Sequence, residues 1–199
     1  MTGEPEQRQL LRTMLPQLTD GRIIVRPPTL NAIAEFHAAA SESSAEVGRW
    51  LPWCHAAYTA VEARQFIAGS IDAWARLDRF PFVVLDPVDG QLLGGIGLNG
   101  IDNTNRLGRL GYWVRTSWTN QGVASAAARL VCQFAFSNAA LTRVEIAVIP
   151  ENAASRRVAE KLGAKLECVA RNRIVMHGNA CDAALYSVIP GDVAAGTSS

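Results

Sequence analysis

Apolar residues recur along the chain with two different periods. Val123, Ala127, Leu130, Val131 and Phe134 repeat at i, i+4, i+7, i+8 and i+11, one face of a helix, and predict the strongest helix of the chain over 122–138. Val61, Ala63, Phe66, Ile67, Ile71 and Trp74 fall mostly on one face of a second helix opening at Thr59 or Ala60. Thr29 is placed to cap a helix running from 30 to about 41, and Pro150 with Asn152 starts one that ends at Leu162, where Gly163 stops it. The period-two segments lie elsewhere: 22–27, 80–85, 91–101, 108–114, 143–149, 165–170 and 183–188 read as strands. The turn 86–90 joins two of them into a hairpin. The order β α α β β β α β α β β predicts a mixed α/β (α+β) domain with a helix returning after the central strands.

Three regions follow from the same pattern. Residues 1–19 form an N-terminal extension, helical through Leu10, Leu11, Met14, Leu15 and Leu18 and interrupted by Pro16. Residues 20–189 form the domain, and from Pro190 the tail 190–199 reads as loose. At 199 residues the chain is long enough to fold as one domain without staples.

Composition removes several classes of function. Hydrophobic residues make up 49% and charged residues 19%, too apolar for a disordered chain. Lys+Arg less Asp+Glu is 19 − 18 = +1, so no basic surplus marks a nucleic-acid binder. No apolar run approaches a membrane span, and the polar N-terminus has no signal-peptide core. The four cysteines include no CxxC pair and read as reduced thiols of a cytoplasmic protein. The three histidines, without an HExxH, give no metal site.

Two glycine motifs compete for a phosphate. Gly95-Ile-Gly97-Leu-Asn-Gly100 matches GxGxxG literally, but a dinucleotide site needs a helix straight after it, and polar then strand-like sequence follows. It reads as a glycine-rich hairpin strand. Asn120-Gln121-Gly122-Val123-Ala124-Ser125 lies instead between a strand and the strongest helix. A polar loop feeding a helix offers unpaired N–H groups and a positive dipole end to an anion. An ordinary helix start with a permissive glycine is the alternative.

The segments LGYWV, WTNQGVASAAARLVCQFAF, RVEIAVIPENAASRRVAEKLGAKLE and HGNACDAALYS, in that order, resemble the GCN5-related N-acetyltransferase (GNAT) superfamily, in its RimJ/RimL-like branch. RIIVRPPTL, RWLPWCH and ARQFI upstream are similar to the same branch, so the resemblance covers about 20–188. It implies a GNAT-like fold: a central mixed, twisted sheet of about six to seven strands flanked by helices. It also implies acetyl-CoA as acyl donor, no metal, and transfer of an acetyl group to a primary amine. The expected acceptor is the N-terminal α-amine of a protein or peptide, ribosomal-protein type. An acetyltransferase for a small-molecule amine or antibiotic, and a non-catalytic CoA-binding sensor, are the alternatives. Neither nucleic acid nor membrane is an expected partner, and a homodimer is left open.

Residue by residue, the resemblance lays the family's pyrophosphate loop on 119–124, matched by Gly122 and Ala124. Thr119 stands where the family has Arg or Gln, and Gln121 is the substitute donor. The expected CoA contacts are Trp113, Val114, Arg115, Asn120, Gln121, Gly122, Val123, Ala124, Ser125, Asn152 and Ser155. Ser155 is the candidate acid for the leaving thiolate. Arg109 occupies the position where many relatives carry a glutamate base, and an arginine cannot take a proton. Glu145 and His55 are the substitutes, unless water carries the proton away. Trp50, Trp53 and His55 are the expected lining of the acceptor entrance.

Overall fold

The structure, a computed structural model, describes Leu11 and residues 15–195. The helix expected over 5–18 lies mostly outside the described residues. Leu18, expected in that helix, instead pairs in a strand. Asp20 shapes the turn that follows it by accepting the Arg22 and Ile23 N–H groups, and this brings β1 (Leu18–Thr19) back onto β2 (Ile24–Arg26).

One helical turn at Leu30–Ala32 leads into α1 (Ile33–Glu42), followed by α2 (Ser44–Gly48) and α3 (Ala60–Arg76). Thr59 fixes the start of α3 by a capping box, its hydroxyl accepting from the Glu62 N–H while the Glu62 carboxylate accepts from the Thr59 N–H. Then come β3 (Phe80–Leu85), β4 (Leu92–Asp102) and β5 (Leu107–Val114), a meander of antiparallel strands. Helix α4 (Val123–Ser137) crosses over to β6 (Arg143–Val148), which runs parallel to β5. Helix α5 (Ala153–Lys161) precedes a long hairpin of β7 (Lys165–Met176) and β8 (Asn179–Val188).

All eight strands form one sheet in the order β1-β2-β3-β4-β5-β6-β8-β7. The sequence predicts six to seven; β1 is the extra strand. The hairpin strands also outrun the expected segments. They extend to a two-residue turn at His177 and Gly178, both left-handed as such turns require. The register shift between Ala170 and Ile174 breaks the alternation there, which hides the continuation from a period-two reading.

The sheet separates two cores. Val83 and Val84, neighbours on β3, point to opposite faces. Val84 joins Phe82, Leu93, Val131, Phe134 and Ile146 beneath α4. Val83 joins Phe36, Ile67 and Trp113 beneath α1 and α3. The GIGLNG segment lies in β4, in a hairpin with β5 and no helix after it. Its first glycine is there for room: a Cβ at Gly95 would stand 2.6 Å from the Trp113 indole nitrogen.

The tail corrects the sequence reading. Residues 190–195 are not loose but form α6 (Pro190–Ala195), with Val193 buried in the larger core. Asp192 accepts from the Ile189 N–H at 3.0 Å, and Arg129 reaches the Val193 carbonyl at 3.4 Å. One valine and two small alanines in GDVAAG are too few to show a periodic pattern. No helix among the described residues is long and apolar enough to cross a membrane.

Candidate active site

The central strands β5 and β6 are hydrogen-bonded only at their start. Leu107–Arg109 pair with Arg143–Glu145; beyond them Leu110–Val114 and Ile146–Val148 diverge. Each keeps its outer neighbour, β4 or β8, so the edges facing the gap are not paired with each other. Between them opens a cleft of about 520 Å³. Its walls are β5, β6, the first turns of α4 and α5, and at the far end α2 with the tip of β7.

At one end the chain turns from 119 into α4. Asn120 and Gly122 are both left-handed, with φ of 61° and 81°. A glycine adopts that conformation without cost, and an asparagine is the side chain that best tolerates it. The bend ends at Gly122 as the helix cap, with no side-chain hydrogen bond to the cap, and the first intrahelical bond runs from the Ala126 N–H to the Gly122 carbonyl. The N–H groups of the first turn therefore face the cleft, with the dipole of a 15-residue helix behind them. A Cβ at Gly122 would meet nothing within 4 Å, so its glycine answers a backbone need, not a steric one.

Asn152 caps α5, accepting the Ser155 N–H at 3.0 Å. Ser155 thus sits in the helix's first turn on the cleft wall. Facing it from β5 is Tyr112, whose hydroxyl lies 2.9 Å from the Ser155 Oγ and 3.1 Å from the Ser155 carbonyl oxygen. Burial pushes the Tyr112 phenol up to about 12, against the opposing pull of the Ser155 bond. Arg157 and Lys161, one turn apart on α5, also line the cleft and place two cations near its mouth. They were missed in the sequence, although the i, i+4 spacing in RRVAEK was the available signal.

The far end is built from Glu46, Val47, Trp50 and Leu51 on one side and Ile174 and Met176 on the other. His177 at the hairpin tip stands 3.1 Å from the Gly48 carbonyl, tying the two sides together. The turn 116–118 is held from behind by the same helices: Thr116 N–H donates to the Ser43 hydroxyl, Thr116 Oγ1 donates to Glu46, and Ser117 N–H donates to Glu42.

Of the residues expected at the site, the cleft brings together Trp113, Val114, Asn120, Gly122, Val123, Ala124, Ser125, Asn152, Ser155 and Trp50. Others lie elsewhere. Arg115 turns away into an ion pair with Glu42, Nε to Oε2 at 2.5 Å. The Gln121 amide donates back to the Ser117 carbonyl, so it does not replace the family's missing side-chain donor at Thr119. Trp53 lies outside the cleft lining: its ring stacks on Phe66 and Phe36 and meets Trp113 edge-on, packed against the smaller core. His55 pairs with Glu62 at 3.0 Å, at the start of α3 and outside the cleft lining. Glu145 is held by Arg143 at 3.1 Å and Arg109 at 3.9 Å, also outside the lining. For Arg115 and Trp53 the neighbour that claims the side chain is distant in sequence; for Gln121, His55 and Glu145 it lies within seven residues, at Ser117, Glu62 and Arg143. Cys54 is buried and its thiol pushed up to about 11 by that burial, which leaves no thiolate for a covalent step. Among the described residues no cluster of His, Cys, Asp or Glu could hold a metal ion.

A sheet split between two parallel strands, with the open N–H groups of a helix start at one end, suits a long, thin ligand carrying phosphate. The comparisons with known proteins agree. Residues 22–165 match the acetyltransferase (GNAT) domain, and the chain belongs to this family of acetyltransferases. YdaF of Bacillus subtilis (strain 168), provisionally named a ribosomal N-acetyltransferase, is 35% identical over 101 residues, covering 51% of this chain and 55% of YdaF. The matched region is thus about half the length of that relative. A Vibrio cholerae structure, provisionally titled a ribosomal-protein-serine acetyltransferase, superposes with a TM-score of 0.76 at 27% identity, over 88% of this chain and 98% of that one. Mycobacterium smegmatis RimJ, solved with a CoA disulfide, shares the fold with a TM-score of 0.79 at 23% identity, over 89% and 88% of the two chains.

Proposed function

We propose that the chain transfers the acetyl group of acetyl-CoA to the N-terminal α-amine of a protein or peptide, by direct attack with both substrates bound. The observation that carries this reading is the split between β5 and β6 leading to the open N–H groups of α4. The pyrophosphate rests on the backbone of 120–125, where the dipole and unpaired donors favour it. Arg157 and Lys161 serve the remaining phosphate charge. The pantetheine amides pair with the free edge of β5 at 112–114, as a peptide adds to a sheet. That edge also supplies N–H donors for the oxyanion.

The acceptor enters at the Trp50 and Ile174 end. Glu46 is the carboxylate among the described residues lining that end, and it favours an approaching ammonium group. An α-amine, with a pKa of about 7.7–8.0 against about 10.4 for lysine, is a few hundredfold more often neutral near pH 7 and so the better nucleophile. Its proton leaves through water, since Arg109 cannot take it and Glu145 is engaged by two arginines. Ser155 donates a hydrogen bond to the departing sulfur. A hydroxyl is a weaker acid than a thiol, so the bond stabilises the thiolate and need not surrender its proton.

The test is thiol release from acetyl-CoA with peptides beginning Ala, Ser, Thr or Met, alongside polyamines and aminoglycosides. Release with the peptides supports the reading. Release only with a polyamine or aminoglycoside reassigns the acceptor to small amines. Binding of CoA without release under any condition leaves a sensor of this fold.

A further inference from the structure

We propose that Tyr112 is the positioning residue for the Ser155 hydroxyl, holding its oxygen so that its proton is presented to the sulfur in the cleft. The inference rests on the role given to Ser155 above. Tyr112 belongs to β5 and Ser155 to α5, 43 residues apart and on opposite walls of the split. A serine in a helix's first turn has three staggered rotamers and can also bond back to local backbone. The Tyr112 hydroxyl reaches both the Oγ and the carbonyl oxygen of this one serine, at 2.9 and 3.1 Å. The carbonyl contact fixes the phenol against the first turn of α5, and the Oγ contact then selects one rotamer of the serine.

The phenol has one proton and two acceptor sites. When its proton goes to Oγ, the serine proton is free to point at the sulfur. When its proton goes to the carbonyl, the serine proton rests on the phenol oxygen and has only to swing about a fixed Oγ. In neither case is Tyr112 the proton source. Its phenol, held at about 12, stays protonated beside a thiol that titrates near 8.5. Its contribution is orientation, which makes it distinct from an acid.

The test needs no acceptor. Calorimetric titration compares CoA with desulfo-CoA, which lacks the sulfur, at about pH 7 and about pH 9.5, either side of the thiol's ordinary pKa of about 8.5. The other ionisable groups of the cleft are Glu46, Arg157 and Lys161, and Tyr186 and Cys132 lie beside Tyr112. The desulfo reference cancels their action on the rest of the CoA molecule, and their action on the sulfur is common to the native chain and both variants, so the differences among the three report the Ser155 bond. In the native chain the preference for CoA should grow between the two pH values by about tenfold more than in Ser155→Ala, the worth of one hydrogen bond to a charged group. Tyr112→Phe should bring that growth to within about twofold of Ser155→Ala, with a near-native melting temperature. Full growth in Tyr112→Phe, with loss in Ser155→Ala, overturns the role of Tyr112 and leaves Ser155 standing. Full growth in Ser155→Ala removes Ser155, and the role of Tyr112 with it. No binding of CoA by the native chain overturns the donor site itself. Should Tyr112→Phe not fold, the crystal structure of the native chain with CoA decides. Oγ within hydrogen-bond distance of both the phenol and the sulfur upholds the proposal, and Oγ turned from either overturns it.

Discussion

Arg115, the first residue after β5, bonds Glu42, the last residue of α1, with Nε 2.5 Å from Oε2. Only 14% of the arginine side chain is exposed, and Glu42 also takes the Ser117 N–H at 3.0 Å. The pair therefore anchors the turn that leads to the loop at 119–122, the proposed phosphate site. Glu42→Ala should destabilise the fold by about 1.5–3 kcal/mol, the range for a hydrogen bond to a charged group. It should also weaken CoA binding several-fold, although neither side chain lines the cleft. Melting curves with CoA titration on the same samples check both; undiminished affinity in a destabilised protein would separate the anchor from the loop.

Gly122 gives a backbone prediction. With φ at 81°, any side chain there is strained even though a Cβ meets nothing. Gly122→Ala should cost about 1–2 kcal/mol and, by flattening the loop, lower CoA affinity at least tenfold. Gly100→Ala carries comparable strain at φ 56°, but its Cβ meets only the Arg109 side chain on the far hairpin. It should leave CoA affinity within about threefold of native, so strain alone does not explain a loss at Gly122.

The two neighbouring tryptophans should behave differently. Trp53→Ala removes a partly buried ring from between Phe36, Phe66 and Trp113, and should cost about 2 kcal/mol, less than truncating a fully buried aromatic. Trp50→Ala, on the cleft wall beneath Arg49, should leave the melting temperature nearly unchanged and raise KM for the acceptor while sparing that for acetyl-CoA. Equal stability losses would place Trp50 in the core.

Acid sensitivity should centre on the strand junction. Bonds from Arg143 and Ser187 hold the Glu167 carboxyl at about 2. A carboxyl depressed in the folded state stabilises above its unfolded pKa of about 4.3, and that stabilisation fades as pH falls toward the folded value. Glu167→Gln should be less stable than native at neutral pH and flatter between about pH 4.3 and about pH 2. Unfolding midpoints across that interval give the comparison. Parallel curves for the two proteins would show the ion pair to be without weight, a common result for exposed pairs.

What the sequence disclosed, and what it withheld, divides by distance along the chain. The start of α4 was legible because a glycine, a polar loop and a helical stripe lie within a few residues. The cap of α5 was legible because Asn152 and Ser155 are three apart. The split itself was not, since it is a pairing that stops, between strands whose contact begins at Leu107 and Arg143. The bond from Tyr112 to Ser155 spans 43 residues, and no local pattern encodes it. The same distance effect hides the partners of Trp53 and Arg115. Each carries a side chain plausible for chemistry, and each is claimed by partners contributed from another element.

Thr116 and Glu46 carry a consequence for how the two substrates are counted. Thr116 lies on the turn leading to the loop proposed for the phosphates, and Glu46, which accepts a hydrogen bond from its hydroxyl at 3.0 Å, also lines the end proposed for the acceptor. The two binding equilibria thus share a mechanical member. Any factor by which a bound donor changes acceptor affinity must equal the factor by which a bound acceptor changes donor affinity. A strut of this kind makes the strength of that coupling, whichever substrate binds first, a property of a single threonine–glutamate contact.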